Sequence, residues 1–230
     1  MNKFLTRVDV KELKKYYPLI KGIPNKQHSQ ELDALIKWSA ILQTIDELKL
    51  QPERVFDIGA GLSHLPVVIA DKYPSIKTVF ALDIKKIAKV CKAHHKVAWT
   101  TKDALEHLLI LESKSFDLVY DACAITHFYP KETEKKHRQY NNLVKIASQI
   151  NRILTDDGIF ITVSDVQAKK RRIYPPDILR VEDFVGKLIK GGLKPLYDTN
   201  LQKDGKAYIY QNPKHIYAYN IVRLVFGKTL

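Results

Sequence analysis

The sequence is poor in the features that mark secreted, membrane-embedded and disulfide-stabilised proteins. It has only two cysteines, Cys91 and Cys123, too few for a disulfide framework or a cysteine-rich zinc site. No stretch of about 18 residues is free of charged side chains, so no membrane-spanning helix is predicted. The first residues contain no apolar segment of the kind that forms a secretory signal. With 230 residues, 45% of them hydrophobic, the chain is predicted to be a folded cytoplasmic protein.

Acidic residues are scarce relative to basic ones. Asp and Glu number 25 against 38 Lys and Arg, which gives a formal net charge of +13 and raises the question of a nucleic-acid partner. The basic residues are spread over both halves of the chain, and only eight are arginine, the residue best suited to reading phosphates and bases. A solvated, lysine-rich surface is therefore the favoured interpretation, and nucleic acid is a less favoured partner.

The chain divides by pattern into a helical beginning and a longer α/β part. Residues 1–50 are predicted to form a helical extension that covers the functional site, because apolar side chains recur at helical spacing in residues 10–17 and 29–50. Residues 51–230 are predicted to form the main domain. Its buried strands are expected at residues 54–58, 78–82, 96–99, 116–120 and 159–163, with helices at 65–72, 84–94, 105–111, 133–154 and 176–190. Two last strands are expected at 207–211 and 215–226, paired in a hairpin. This alternation predicts an α/β fold with a doubly wound, mostly parallel sheet.

A glycine turn directly follows the first predicted strand, in the sequence Asp57-Ile58-Gly59-Ala60-Gly61. Two glycines in such a turn let the backbone approach a ligand closely. The fingerprint of dinucleotide-binding proteins requires a third glycine, but His64 stands at that position. Asp57 would also repel a phosphate. The turn therefore favours a ligand with a cationic group and without a pyrophosphate.

Each of the next three predicted strands also ends in a carboxylate. Asp83 lies 22 residues after Gly61, where an acid can accept hydrogen bonds from ribose hydroxyls. Asp103 follows the third strand and Asp121 the fourth. The carboxyl ends of parallel strands lie along one edge of the sheet, so these acids are expected to face one crevice. This acidic edge suits an adenosine that carries an ammonium and a sulfonium.

With these residues, the sequence resembles the class I S-adenosylmethionine-dependent methyltransferases over residues 52–165. The resemblance implies a Rossmann-like, seven-stranded sheet whose last strand is antiparallel, and S-adenosylmethionine as cofactor. It implies that Asp83 binds ribose, that Ile84 packs on adenine, that Asp103 contacts adenine beside Ala104, and that Asp121 lies near the methionine moiety. The residues predicted to bind the cofactor are Asp57, Gly59, Ala60, Gly61, His64, Asp83, Ile84, Asp103, Ala104 and Asp121.

The same acids have structural interpretations. Asp83 and Asp103 each precede a predicted helix and are suited to capping it. Asp121 is suited to hydrogen bonding with the backbone of its own loop. Capping by Asp83 would not exclude ribose binding by the same residue, whereas capping alone for Asp103 and loop hydrogen bonding alone for Asp121 are the alternatives to contact with the cofactor.

The loop after the fourth strand carries the candidate catalytic residues, His127 and Asp121. Methyl transfer needs alignment of donor and acceptor, and a base where the acceptor is a hydroxyl or a protonated amine. His127 is the first candidate for that base, with structural packing as the alternative. Phe128 and Tyr129 are candidates to line the acceptor pocket or to fill the core. The basic residues 169–172, with Lys170, Arg171 and Arg172 as candidate substrate ligands, suggest an anionic acceptor or simply a solvated loop.

The sequence therefore predicts a methyltransferase that acts on a small molecule, by O- or N-methylation, with no metal and no membrane partner. The segment Asp121-Ala122-Cys123-Ala124 lacks the Asn/Asp-Pro-Pro-aromatic run of enzymes that methylate base amines. Three alternatives stay open: an RNA-modifying methyltransferase, a transferase of the same fold that moves another part of the cofactor, and a non-catalytic protein that retains only the fold.

Overall fold

The structure, a computed structural model, describes residues 10–20, 31–61, 63–84, 93–127, 136–167, 181–196, 208–211 and 219–228. Its helices are α1 (Val10–Leu13), α2 (Tyr17–Ile20), α3 (Glu31–Glu47), α4 (Leu65–Lys72), α5 (Ala104–Ile110), α6 (Lys136–Ile153) and α7 (Val181–Lys190). A 3₁₀ turn joins α1 to α2, and another spans Ile125–His127. The strands are β1 (Arg54–Ile58), β2 (Thr78–Asp83), β3 (Val97–Thr101), β4 (Phe116–Ala122), β5 (Leu154–Gln167), β6 (Leu193–Pro195), β7 (Tyr208–Gln211) and β8 (Tyr219–Lys228).

Seven strands form a continuous sheet in the order β3-β2-β1-β4-β5-β8-β6, and β7 pairs with β8 beside this path. The first five strands are parallel to one another, and β8 runs antiparallel to β5, β6 and β7. The prediction of a doubly wound, mostly parallel seven-stranded sheet with an antiparallel last strand is confirmed. The predicted hairpin of the last two strands is confirmed as well, since β7 pairs with β8.

Two hydrophobic clusters cover the two faces of the sheet. One contains Val55, Val79 and Ile161 with side chains of α1 to α4. The other contains Phe56, Val119 and Phe160 with side chains of α5, α6 and α7. Neighbouring residues of β1 thus point to opposite faces and both are buried, which explains the continuous apolar runs of the sequence.

The N-terminal helices share the first of these cores with the sheet. Ile36, Ile41 and Ile45 of α3 are fully buried in the same cluster as Val163 of β5. Residues 31–47 therefore depend on the sheet for their burial.

Some predicted boundaries were wrong. The fifth strand was expected at residues 159–163, but β5 spans Leu154–Gln167 because it pairs with β8 along nine residues and with β4 at its beginning. The short strand β6 was not predicted. Most of the helix predicted at residues 84–94 lies outside the described residues.

Candidate functional site

The glycine turn after β1 is held against the end of β2. The N–H groups of Gly59 and Ala60 both donate to the carbonyl oxygen of Leu82, at 2.8 Å each. Gly59 and Gly61 have φ angles of 75° and 59°, in the left-handed region that favours glycine. A Cβ atom added to Gly61 would meet no atom within 4 Å. The turn therefore leaves open space beside Gly61.

Asp83, the last residue of β2, is joined directly to this turn. Its Oδ2 accepts a hydrogen bond of 2.8 Å from the N–H of Gly61. The next residue, Ile84, leaves 57% of its surface exposed, which is unusual for a large aliphatic side chain. The structure thus brings Gly61 and Asp83, which are 22 residues apart, into one place, with an uncovered apolar side chain beside them.

Asp57 lies inside the sheet just before the turn. It is 2% exposed, and burial raises the pKa of its carboxyl group well above the ordinary value. The negative charges of Asp121 and Asp83 raise it further, while the nearby Tyr120 hydroxyl opposes the rise. That hydroxyl is itself buried and has no hydrogen-bond partner of standard geometry. The groups that shift the pKa of Asp57 thus include two further acids and no cation.

Asp121 organises the loop that follows β4. Its Oδ1 accepts hydrogen bonds from the N–H groups of Ala124 (2.6 Å) and Ile125 (3.0 Å). Its Oδ2 accepts from the hydroxyls of Thr162 (2.8 Å) and Ser164 (3.3 Å). The residue has no exposed surface, and burial raises the pKa of its carboxyl group even though these hydrogen bonds oppose the rise. Both oxygens thus form hydrogen bonds within the protein. This agrees with the interpretation that Asp121 holds the backbone of its own loop.

Asp103 and His64 occupy helix N-termini. Oδ1 of Asp103 accepts from the N–H groups of Leu105 (2.9 Å) and Glu106 (3.2 Å) and so caps α5. Ala104, the first residue of that helix, is buried. His64 precedes α4, makes no side-chain capping bond there and is half-buried. Asp103 is therefore the N-cap of α5, and its contact with adenine stays a prediction.

The candidate acceptor residues are largely outside the described part of the chain. His127 ends the 3₁₀ turn Ile125–His127, but its side chain lies outside the described residues. Phe128, Tyr129, Lys170, Arg171 and Arg172 also lie outside them. Their predicted roles stay predictions.

A cluster that the sequence analysis missed lies at the same edge of the sheet. The Nζ of Lys37 in α3 is 2.9 Å from Oδ2 of Asp165 in β5. The thiol of Cys123, just after β4, donates to the same oxygen at 3.1 Å. Burial raises the pKa of that thiol to about 12, and the charge of Lys37 opposes the rise. Asp165 comes two residues after the strand predicted at residues 159–163, which is the same signal that marked the other acids. Nothing in the sequence marks Lys37 as its partner.

Cys123 has an unusual backbone conformation at this edge. Its φ of 68° lies in the left-handed region, which non-glycine residues rarely adopt. The two hydrogen bonds from the following N–H groups to Asp121 turn the chain at this point. Such strain is concentrated at functional sites. Among the described residues, no group of three or more His, Cys, Asp or Glu side chains is arranged to hold a metal ion, and no helix is long and apolar enough to span a membrane.

Sequence comparison finds a match to a known family in the central part of the chain. Residues 56–162 match the family model described as a methyltransferase domain. These residues extend from β1 into β5 and include the glycine turn, Asp83, Asp103 and Asp121. No curated protein matches the sequence significantly.

Solved structures share the fold at low sequence identity. The 1,6-didemethyltoxoflavin-N1-methyltransferase of Burkholderia thailandensis, solved with 1,6-didemethyltoxoflavin and S-adenosylhomocysteine bound, is 14% identical with a TM-score of 0.62, over 96% of this chain and 87% of that one. The [4+2]-cyclase SpnF is 11% identical with a TM-score of 0.61, over the whole of both chains. The N-methyltransferase NodS of Bradyrhizobium japonicum is 12% identical with a TM-score of 0.56, over 84% of this chain and 94% of that one.

The fold, the acids at the strand ends and the matching domain agree with one another. At these identities the solved structures establish the fold alone, and the domain match covers the central part of the chain. Residues 56–162 therefore match a methyltransferase domain, and the fold is shared with a methyltransferase solved with S-adenosylhomocysteine bound, which agrees with S-adenosylmethionine as the expected cofactor.

Proposed function

We propose that this protein transfers the methyl group of S-adenosylmethionine to a small-molecule acceptor. The observation that carries the proposal is the hydrogen bond between Asp83 and the N–H of Gly61, beside open space at that glycine. A carboxylate has two oxygens with about four acceptor positions, so Asp83 can hold the turn and accept hydrogen bonds from ribose hydroxyls together. The turn and the ribose position are thereby fixed relative to each other.

The remaining residues of the site fit the other parts of the cofactor. The exposed side chain of Ile84 offers an apolar surface for adenine, with Asp103 and Ala104 at the neighbouring strand end. Asp57, with Gly59, Ala60 and His64 around it, supplies negative charge for the ammonium of the methionine part. A cationic ligand suits this site because it offsets the mutual repulsion of Asp57, Asp83 and Asp121.

When bound, the cofactor supplies an electrophilic methyl group, and the protein's task is alignment. We assign Asp121 the role of holding the 121–125 loop through its four hydrogen bonds. His127, at the end of that loop, is the proposed base or acceptor-positioning residue. Phe128 and Tyr129 are proposed to line the acceptor pocket. Lys170, Arg171 and Arg172 are proposed to bind an anionic group of the acceptor.

A small-molecule acceptor is the alternative best supported by the comparisons. The Burkholderia enzyme is an N1-methyltransferase with 1,6-didemethyltoxoflavin bound. The cyclase shows that the same fold also serves a different reaction, so the product must be measured.

Calorimetry with S-adenosylmethionine and S-adenosylhomocysteine tests the cofactor site. We expect binding by the wild-type protein, and a loss of at least tenfold in Asp83→Asn, since the variant loses the charged acceptor of the ribose hydroxyls. Asp156→Asn is the matched control, because Asp156 is an exposed acid paired with Lys114 at 2.9 Å, away from the glycine turn. Absence of binding to the wild type, or equal affinity for Asp83→Asn, would contradict the proposal.

A metabolite screen then identifies the reaction. Release of S-adenosylhomocysteine with a methylated small molecule is the expected product pattern. Release of methylthioadenosine would instead indicate transfer of another part of the cofactor. Methylation of RNA only, with binding that weakens steeply as salt rises, would favour the nucleic-acid alternative.

A further inference from the structure

The cluster of Lys37, Cys123 and Asp165 has no role in holding the cofactor described above. It lies where three parts of the protein meet: helix α3, the loop after β4 and the end of β5. Lys37 and Asp165 leave only 12% and 15% of their side chains exposed. Lys37 and Asp165 are 128 residues apart in sequence, and a pair this buried needs good geometry to offset the loss of hydration.

One atom of the cluster is left unsatisfied. Oδ2 of Asp165 has both the ammonium of Lys37 and the thiol of Cys123 as partners. Oδ1 of the same carboxylate is buried and has no hydrogen-bond partner. A buried charged oxygen without a donor is costly, and such a group needs an explanation. One explanation, which the location of Asp165 supports, is that a bound ligand supplies the missing hydrogen-bond donor.

The location is the switch point of the sheet. The strand order runs from β1 to β2 and β3 on one side and to β4 and β5 on the other. Ligands of open α/β sheets bind in the crevice at this point, outside the carboxyl ends of the strands. The glycine turn borders the crevice from β1, and Cys123 borders it from β4. Asp165, in contact with Cys123, therefore lies on the side of the crevice away from the ribose-binding Asp83.

We propose that Asp165 binds the acceptor, accepting a hydrogen bond from the amino or hydroxyl group that receives the methyl group. Lys37 and Cys123 fix the carboxylate through Oδ2, so that Oδ1 is the oxygen that meets the acceptor's donor. This rests on the proposed function, because it needs a bound cofactor to define where the acceptor lies. According to this proposal, the atom of the acceptor that receives the methyl group carries a hydrogen, which it donates to Asp165. Helix α3 then contributes to the site through Lys37.

The test uses sinefungin, an analogue of S-adenosylmethionine in which a carbon bearing an amine replaces the methylsulfonium. Its amine presents N–H donors where the acceptor approaches, so no knowledge of the natural acceptor is needed. The measured quantity is the ratio of the Kd of S-adenosylhomocysteine to the Kd of sinefungin, obtained by calorimetry on the full chain. Two variants are compared with wild type: Asp165→Asn and Lys37→Met. Asp156→Asn serves as the exposed control.

The two variants are expected to move this ratio in opposite directions. Asp165→Asn removes the negative charge and should lower the preference for sinefungin roughly tenfold, while affinity for S-adenosylhomocysteine stays within about twofold. Lys37→Met removes the competing cation and should raise the preference. A purely structural role would change both variants alike, so an unchanged ratio in both, or a fall in both, overturns the inference. If Asp165→Asn does not fold, the direction of change in Lys37→Met decides. If wild type binds neither compound, the proposed function fails with it.

Discussion

At the scale of single residues, Asp57 shows how burial prepares a site for a cation. Its pKa is raised because the carboxylate is removed from water and faces the charges of Asp121 and Asp83. A bound ammonium would offset both effects and lower the pKa, so binding should release a proton. We therefore expect the affinity for S-adenosylhomocysteine to rise as pH increases through the titration range of Asp57. Calorimetry in buffers of different ionisation enthalpy measures the proton release.

The raised pKa of Asp57 also predicts how the stability of the fold depends on pH. A carboxyl group whose pKa is raised on folding holds its proton more tightly in the native state than in the unfolded state. The native state therefore loses stability as pH rises from the unfolded pKa through the folded one. Asp57→Asn removes this loss, so the stability of the variant relative to wild type should increase with pH. Urea unfolding at pH 5 and pH 8 measures the difference, and a relative stability that decreases with pH would contradict the assignment.

A substitution at Gly61 should have separate effects on the stability of the turn and on binding of the cofactor. Gly61→Ala places a Cβ in the open space beside the turn and strains a φ of 59°, so we expect about 1 kcal/mol of lost stability. The affinity for S-adenosylmethionine should fall much further, by tenfold or more, since the methyl group occupies space at the proposed site. Gly186→Ala is the control, because a Cβ there is also unobstructed but lies in helix α7. A loss of affinity no larger than the control's would place the cofactor elsewhere.

At the scale of elements, Asp46 of α3 connects the 3₁₀ turn between α1 and α2 with helix α4. Its carboxylate accepts hydrogen bonds from Tyr16 (2.7 Å), Tyr73 (2.9 Å) and Lys72 (3.0 Å). Burial alone would raise the pKa of Asp46, but these hydrogen bonds lower it. Since Tyr73 follows α4, the contact ties the N-terminal helices to the helix that leaves the glycine turn.

Asp46→Ala should therefore destabilise the fold by about 2 kcal/mol, because the buried Tyr16 hydroxyl loses its acceptor and the Tyr73 hydroxyl keeps only the carbonyl oxygen of Leu42, at 3.1 Å. The stabilising contribution of the charged Asp46 is present above its unfolded pKa and lost as pH falls through the lowered folded value. Urea unfolding at neutral pH and near pH 3 measures both effects. Glu53→Gln is the comparison, since the exposed pair of Glu53 and Lys77 should matter little. Equal effects of the two substitutions would show that the Asp46 contacts do not anchor these helices.

Elements bounded by local signals were predictable from the sequence, and elements defined by distant pairing were not. Helix α4 was predicted at its observed bounds because Pro74 prevents its continuation. In the structure Pro66 also stands in its first turn, a position that proline favours. The length of β5 is set by β8, which the sequence places more than 50 residues later. Strand β6 has only three residues and exists because β8 offers it an edge.

The candidate site divides in the same way. The glycine turn and the acids at the strand ends were found because the carboxyl ends of parallel strands meet at one edge. The contact of Asp83 with Gly61 follows from that rule. The complete engagement of Asp121 does not, since it depends on Thr162 and Ser164, which lie 41 and 43 residues further along the chain. Lys37 could not be placed at all, because its partners come from elements that are assembled only in the folded sheet.

At the scale of the whole molecule, Arg223 links the last strand to the first long helix. It lies in β8, is 2% exposed, and its guanidinium donates to Oε2 of Glu47 at 2.9 Å and to the hydroxyl of Thr44 at 3.3 Å. Burial lowers its pKa, although the charge of Glu47 opposes this. Its Nε has no partner. Glu47 and Arg223 are 176 residues apart, so the contact closes the chain over one face of the sheet.

This pair predicts an order of stabilities among three variants. Glu47→Gln leaves a buried guanidinium without its counter-charge and should cost about 1–3 kcal/mol; partial exposure of Glu47 keeps the value below that of a fully buried pair. Arg223→Met replaces the cation by an apolar chain of similar length on the face of β8 that also carries Ile221 of the first core, and should cost less. Because the Glu47→Gln penalty arises from the buried charge, the double variant should be close to Arg223→Met alone. Urea unfolding of the four proteins gives the cycle. Additive losses, or a larger loss for Arg223→Met, would mean that packing of the arginine stem rather than its charge holds β8 against α3.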